Sequence, residues 1–175
     1  MKSISSSSSS SKRGDGSYTT VPEEYDSSER EACFYLYTRP LDSAVLSETN
    51  HVPLNHWALV ADFVDVTVRT MEGNLSDGKL MPYYHKDYPR GGGRFYKLIT
   101  LRTSPRNLRR ITINNPLNGS TYVATSNNCQ SWVRKAAEMI SWRLADSLSK
   151  FRSTEDNLVV GIGPKIFSIM FGGRS

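Results

Sequence analysis

The chain has 175 residues and carries 22 Lys and Arg against 17 Asp and Glu, a formal net charge of +5. This length gives room for one domain with an adequate core and excludes two large ones. The charge allows contact with anionic surfaces without requiring it. Two cysteines are too few for a disulfide framework, and together with the three scattered histidines they do not have the spacing of zinc ligands. We therefore expect no metal and no cofactor.

The first 30 residues have the composition of a disordered tail. Residues 5–11 are an uninterrupted serine run, and the sequence stays polar and charged up to residue 30. Such a segment cannot bury enough apolar surface to offset the entropy lost on ordering. We therefore place the folded domain at residues 31–150.

Residues 151–175 are predicted to be a C-terminal docking segment or tail. Their apolar stretch, residues 158–171, is interrupted by glycine, proline and lysine. It is also too short to span a bilayer, which takes about 20 residues. No apolar h-region follows Lys2, so no signal peptide is expected and the predicted location is cytoplasmic or nuclear.

Four segments of the domain have the alternation or the aromatic and β-branched composition of strands. One of them, residues 55–63, is mostly apolar on both faces, which is typical of a strand inside a sheet. The Tyr-, Pro- and Gly-rich residues 79–93 are predicted to be a mobile loop that acts as a lid or selectivity element. The predicted strands are residues 33–38, 55–63, 65–71 and 95–102, with a turn at 74–78 and a loop or short helix at 41–54.

The second half of the domain is predicted to be helical. Residues 104–115 are expected to form a short helical turn followed by an extended piece at 111–113. Residues 129–148 then have apolar residues at helical spacing and no Gly or Pro, which predicts one continuous helix. Asn128 is a favoured N-cap residue for it. Strands followed by a helix indicate an α+β fold, with an antiparallel sheet packed against the helix.

This arrangement places Cys129 in the first turn of the predicted helix. Unpaired N–H groups and the helix dipole both favour an anion at a helix N-terminus, so the thiolate form of a cysteine is favoured there. The same N–H groups can hold the oxyanion that forms when sulfur attacks a carbonyl. Cys129 is therefore a candidate nucleophile.

A cysteine nucleophile needs a base, and the histidines of the chain are His51, His56 and His85. His56 begins an apolar strand, where its side chain is held rigidly, whereas the other two lie in predicted loops. Imidazole titrates near pH 6.5, so it can take the proton of a thiol and later protonate a leaving group. His56 is the candidate base.

The phrases NHWALV around His56 and NNCQSWV around Cys129 resemble the circularly permuted branch of the papain-fold superfamily. This branch groups relatives of NlpC-type peptidases with lecithin:retinol acyltransferase-like and PPPDE-type proteins. The resemblance implies a papain-like fold in which the histidine precedes the cysteine, and a cysteine-dependent hydrolase or acyltransferase. It also implies a third polar residue that orients the imidazole. Asp65, Glu72 and His85 are the candidates for that role.

The expected substrate is a peptide, a protein, or a small amide or ester, and the oligomeric state is left open. The alternative is a papain-like fold without catalysis that serves as a protein-binding or effector module. Nucleic acid is not an expected partner. The basic cluster is not accompanied by an RNA-binding motif, and we interpret it as a solvated face. Ser104, beside this cluster, is a candidate phosphosite. The cluster consists of Arg102, Arg106, Arg109 and Arg110.

Overall fold

The computed structural model describes residues 20–40 and 55–151. Within these ranges the chain has an α+β fold, as predicted, with a five-stranded antiparallel sheet in the order β4-β3-β2-β1-β5 and three helices. The predicted segments at 1–19, 41–54 and 152–175 lie outside the described residues. The strands are β1 (Arg30–Pro40), β2 (Asn55–Phe63), β3 (Val68–Ser76), β4 (Lys79–His85) and β5 (Arg94–Thr103), and the helices are α1 (Pro105–Asn114), α2 (Cys129–Ile140) and α3 (Trp142–Ser149).

The middle strand β2 is buried on both faces, as its sequence predicts. Trp57 and Leu59 point into the main core under the helices. Ala58 and Val60 point to the other face, where they pack with aromatic residues of β1 and β5. The side chains of β2 therefore contribute to both layers of the core, and its first residues lie at one end of the sheet.

Helix α2 packs directly on β2 and β3. The close approach depends on Gly73, because a Cβ at that position would lie only 2.8 Å from the Cβ of Trp132 and still closer to its ring. Trp132 is fully buried. This contact seats the first turn of α2, and with it Cys129, against the sheet.

The prediction of a loop over residues 79–93 is wrong for its first half. Residues 79–85 form β4, which pairs with β3 around a turn at Asp77 and Gly78. Leu80, Pro82 and Tyr84 are buried at every second position, which is the alternation of a half-buried strand. The Tyr- and Pro-rich composition hid this pattern. Strand β3 extends to Ser76, so the turn predicted at 74–78 is confined to Asp77 and Gly78.

Residues 104–115 form one helix and not a turn followed by an extended piece. The Ser104 hydroxyl caps α1 by accepting from the N–H of Asn107 at 3.3 Å, and Pro105 occupies the first turn. Leu108, Ile111 and Thr112 share the buried face. The β-branched residues favour a strand locally, but the cap and the buried stripe outweigh that preference.

The predicted helix over 129–148 is broken at Ser141. This residue is extended, ends α2 and begins α3, since its N–H donates to the carbonyl of Ala137 and its hydroxyl accepts from the N–H of Arg143. A serine side chain can bond to nearby backbone groups in place of the helical hydrogen bonds, which favours a helix end at this position. No described helix is both long enough and apolar enough to cross a bilayer.

Residues 20–29, which the composition places in the tail, pack against the domain. Val21 is 1% exposed and belongs to the main core. Glu24 is buried and forms an ion pair of 2.6 Å with Arg69 of β3. The packed structure therefore begins before residue 31.

The same segment engages the basic cluster. Arg109 binds Glu23 at 2.6 Å and Arg102 donates to the carbonyl of Glu29. These two arginines therefore bind residues 20–29 of the same chain. Ser104 is 6% exposed and caps α1. The hydroxyl proposed for phosphorylation is thus buried and in structural use.

Candidate functional site

Cys129 is the first residue of α2, and the cap predicted for this helix is present. Asn128 accepts through Oδ1 from the N–H of Gln130 at 2.9 Å and from that of Ser131 at 3.1 Å. Ser131 accepts in return from the N–H of Asn128 at 2.8 Å, which completes a capping box. Two N–H groups of the first turn are therefore already bonded to Asn128 and are not available to an oxyanion.

The sulfur of Cys129 lies beside the first residue of β2. It is 3.9 Å from the carbonyl oxygen of Asn55, and the residue is 2% exposed. His56 follows Asn55 on β2 and is 3% exposed. Cys129 lies close enough to His56 for its side chain to raise the pKa of the imidazole. The structure thus brings together the two residues that the sequence analysis pairs, although they are far apart along the chain.

Glu72 is the candidate for the third residue whose carboxylate contacts the His56 ring. Its Oε2 lies 2.7 Å from Nε2 of His56, and its side chain is 13% exposed. The register explains this contact: Leu59 of β2 pairs with Met71 of β3, so Glu72 points to the opposite face from Met71, the face that His56 shares. Because Nε2 is occupied by the carboxylate, Nδ1 is the ring nitrogen left for the sulfur.

The other candidates for the third position have different partners. Asp65 forms an ion pair of 2.8 Å with Arg30 and bonds to Thr67, so it does not orient His56. His85 contacts Glu72 at 3.1 Å through Oε1, so it meets the carboxylate rather than the imidazole of His56. His51 lies outside the described residues.

The site favours the charged forms of both His56 and Glu72. Burial acts most strongly on His56 and disfavours its charged form, but the hydrogen bonds with Cys129 and Glu72 together outweigh it and raise the pKa of His56 to about 9. Burial likewise opposes the charge of Glu72, yet hydrogen bonds with His56 and His85 hold the pKa of this carboxyl far below its usual range. At neutral pH His56 is an imidazolium bound to a carboxylate.

Tyr122 is a site residue that the sequence analysis missed. Burial, followed by the charge of the nearby Cys129, raises the pKa of Tyr122. The phenol therefore stays protonated and can donate. The adjoining Thr121 forms a β-bridge with Lys79, and the N–H of Tyr122 donates to the carbonyl of Gly78. The pairing of Val123 with Asn127 folds this segment back towards the start of α2.

A cavity of about 370 Å³ lies beside Glu72. The segment after β4 forms one wall, held there because the Thr70 hydroxyl donates to the carbonyl of Asp87 at 2.7 Å. Its lining residues are Tyr37, Arg39, Glu72, His85, Asp87, Tyr88, Pro89 and Arg90. Within the described ranges, no group of three His, Cys, Asp or Glu residues could hold a metal ion.

No protein family, curated protein or solved structure matches this chain. Its function is therefore inferred from the chemistry of the Cys129 site.

Proposed function

We propose that the chain is a cysteine-dependent acyl-transfer enzyme on a papain-like fold of the permuted type. Cys129 would be the nucleophile, His56 the general base and acid, and Glu72 the group that orients the imidazole. The observation that carries this proposal is the convergence of three side chains at a helix N-terminus: Glu72 Oε2 lies 2.7 Å from His56 Nε2, and Cys129 lies close enough to raise the pKa of the same imidazole. A nucleophile, a base and an orienting third group are what covalent catalysis needs.

The proposed reaction begins when the sulfur of Cys129 attacks the carbonyl carbon of an amide, peptide, isopeptide or ester. A C–S bond forms, the thiol proton is held by His56, and the carbonyl oxygen becomes an oxyanion. His56 then gives its proton to the leaving amine or alcohol as the bond to that group breaks. Water or another acceptor attacks the resulting thioester with His56 again as base, and the free thiol returns.

The oxyanion would be held by donors close to the sulfur. The N–H of Cys129 itself is suited to this role, because the next two N–H groups are bonded to Asn128. The Tyr122 hydroxyl is a second candidate donor, because it lies near Cys129 and its raised pKa keeps it protonated. Donors fixed before reaction are typically worth several kcal/mol of transition-state stabilisation.

The test is the alkylation rate of Cys129 by iodoacetamide, measured in a Cys33→Ser background so that one thiol remains. A thiolate paired with His56 should react faster than free cysteine near neutral pH. His56→Ala should slow the labelling about tenfold or more, because it removes the imidazolium that stabilises the thiolate. Cys129→Ser in the same background should abolish labelling. Ordinary thiol behaviour in both the parent and His56→Ala would contradict the proposal.

Burial favours a second candidate, the same fold used as a binding or effector module without turnover. Cys129 is 2% and His56 3% exposed, so a substrate has little access to the sulfur in this conformation. Under this alternative iodoacetamide labels Cys129 more slowly than free cysteine in the native protein, and labelling becomes fast only on unfolding. The dependence of the labelling rate on denaturant separates the two functions.

A further inference from the structure

His85 is the last residue of β4 and sits on the far side of Glu72 from His56. Its Nε2 is 3.1 Å from Glu72 Oε1, while His56 binds Oε2 at 2.7 Å. The two imidazoles therefore hold separate oxygens of one carboxylate. Their surroundings differ: the His85 side chain is 46% exposed and that of His56 is 4% exposed.

A glutamate held through one oxygen only has a loosely determined carboxylate plane, because its last torsion has a broad energy minimum. The Glu72 Oε1 atom has one more donor, the amide of Asn74, but at a longer 3.3 Å. The aromatic ring of Tyr83 stacks on His85, with centroids 6.1 Å apart and an interplanar angle of 28°. His85 is thus the better-placed of these two donors, and its ring is held in position by a neighbour.

We propose that His85 is a positioning residue of the Cys129 site, which fixes the Glu72 carboxylate so that Oε2 stays aimed at His56. A role for His85 in catalysis rests on the proposed acyl-transfer function. Its effect on the contact between Glu72 and His56 does not. Orientation of the base by its carboxylate contributes strongly to catalysis in comparable triads. His85 would supply that orientation from outside the triad.

A competing effect acts in the opposite direction. A protonated His85 would draw on the charge of Glu72 and weaken its hold on the His56 imidazolium. Hydrogen bonding to Glu72, partly offset by burial, raises the pKa of His85. However, its half-exposed position screens this charge, and the bond to Oε1 is longer than the bond to Oε2. Orientation therefore outweighs charge competition.

The groups that face His85 define what else could change its proton affinity. Glu72 and Asp87 both favour its charged form, and Tyr83 covers one ring face. The lining of the shared cavity adds Arg39, Arg90 and the phenols of Tyr37 and Tyr88. A variant that keeps a neutral donor at residue 85 separates orientation from all of these charges.

The experiment compares His85→Gln with His85→Ala in full-length protein. The glutamine amide places an N–H donor near the position of the histidine Nε2 and cannot titrate between pH 5 and 9, whereas alanine leaves no donor. The main readout is an NMR titration of the His56 ring, followed in parallel by the rate of Cys129 alkylation and by the melting temperature.

The expected result is that His85→Ala lowers the pKa of His56 by about one unit and slows alkylation several-fold, while His85→Gln restores both. An unchanged His56 titration in His85→Ala would overturn the proposal. A raised pKa of His56 in His85→Ala would also overturn it, because that result is the signature of charge competition. So would an equal drop in this pKa and in the alkylation rate in both variants that follows the melting temperature. Because the NMR readout does not depend on the reactivity of sulfur, an unreactive Cys129 would refute the proposed enzyme without affecting this test.

Discussion

Two largely buried glutamates of this domain pair with different cationic side chains. Glu24 is 6% exposed and pairs with the Arg69 guanidinium at 2.6 Å. Glu72 pairs with the His56 imidazole at 2.7 Å. In both cases burial alone would raise the pKa of the carboxyl, and a cationic partner outweighs it and lowers that pKa. The carboxylates are alike, and the difference lies in their partners.

A guanidinium keeps its proton at any pH the folded protein meets, so its pair with Glu24 is fixed. The Tyr84 hydroxyl donates to the carbonyl of Pro105 at 2.9 Å and lies 3.3 Å from the Glu24 carboxylate. The pair of Glu24 and Arg69 ties residues 20–29 to the sheet. An imidazole can lose and regain its proton near neutrality. The charge of an ion pair with arginine is therefore fixed, whereas the charge of a pair with histidine can change with pH.

The largest expected effect comes from removing the charge of each glutamate in turn. Glu24→Gln should lower the free energy of unfolding by about 3 kcal/mol, because it leaves the Arg69 guanidinium buried without a counter-charge. Glu72→Gln should cost clearly less, because His56 can shed its proton and become neutral. Urea unfolding of both variants measures this difference.

Alkylation of Cys129 should respond in the reverse order, about tenfold slower in Glu72→Gln and unchanged in Glu24→Gln. Equal losses of stability in the two variants would remove the distinction between a fixed and a titratable partner. Equal labelling rates would remove the link between Glu72 and the sulfur.

The second effect is a dependence of stability on pH that only the Glu72 pair should show. The pKa of His56 is raised from 6.5 to about 9 in the folded protein, which corresponds to on the order of 3 kcal/mol as an upper limit. This stabilisation is complete below pH 6.5 and is lost as pH rises towards 9, since the unfolded chain releases its proton first. Unfolding free energies measured across that range should fall, and the slope should flatten in Glu72→Gln. A steep slope that survives the variant would assign it to other groups.

A smaller effect is expected from Gly73→Ala, next to Glu72 on β3. The added Cβ would collide with Trp132, and relief of such overpacking costs about 1–3 kcal/mol. Because Trp132 belongs to α2, the shift should also disturb Cys129 and slow its alkylation. Gly92→Ala is the matched control, since a Cβ there meets nothing within 4 Å and stability should change by less than about 0.5 kcal/mol. A similar result for both glycines would show that α2 docks less tightly than its contacts indicate.

The smallest effect is expected at the helix caps. Asn128→Ala removes the acceptor for two N–H groups beside Cys129, and Ser141→Ala removes the cap of α3. Each should cost about 1 kcal/mol in thermal or urea unfolding. Only Asn128→Ala should also change the alkylation rate, because Cys129 lies in the turn it caps. Equal labelling in the two variants would separate the cap from the chemistry of the sulfur.

Several features of the fold were predictable from local patterns. Strand β2 has the predicted bounds Asn55–Phe63, and Asn128 caps a helix that begins at Cys129. Apolar alternation and capping involve residues within a few positions of one another, so their signals are contained in short stretches of sequence. The same applies to the α+β class, which follows from the order of these elements.

Other features depended on distant contacts. Strand β4 gains its backbone partners from β3 and has Tyr and Pro at positions that locally indicate a loop. Residues 20–29 look like a tail until Glu24 meets Arg69. The composition of each segment hides its structure, because the partner supplies most of the free energy.

The sequence by itself determined which residue types were suited to the chemistry, Cys129 at a helix start and His56 at the start of a buried strand. Only the tertiary structure showed that, of Asp65, Glu72 and His85, it is Glu72 whose carboxylate contacts His56. The physical reason is that a candidate carboxylate is useful only within hydrogen-bond distance of the imidazole. That distance is set by the register of β2 on β3, where Glu72 faces His56 while Asp65 is held by Arg30.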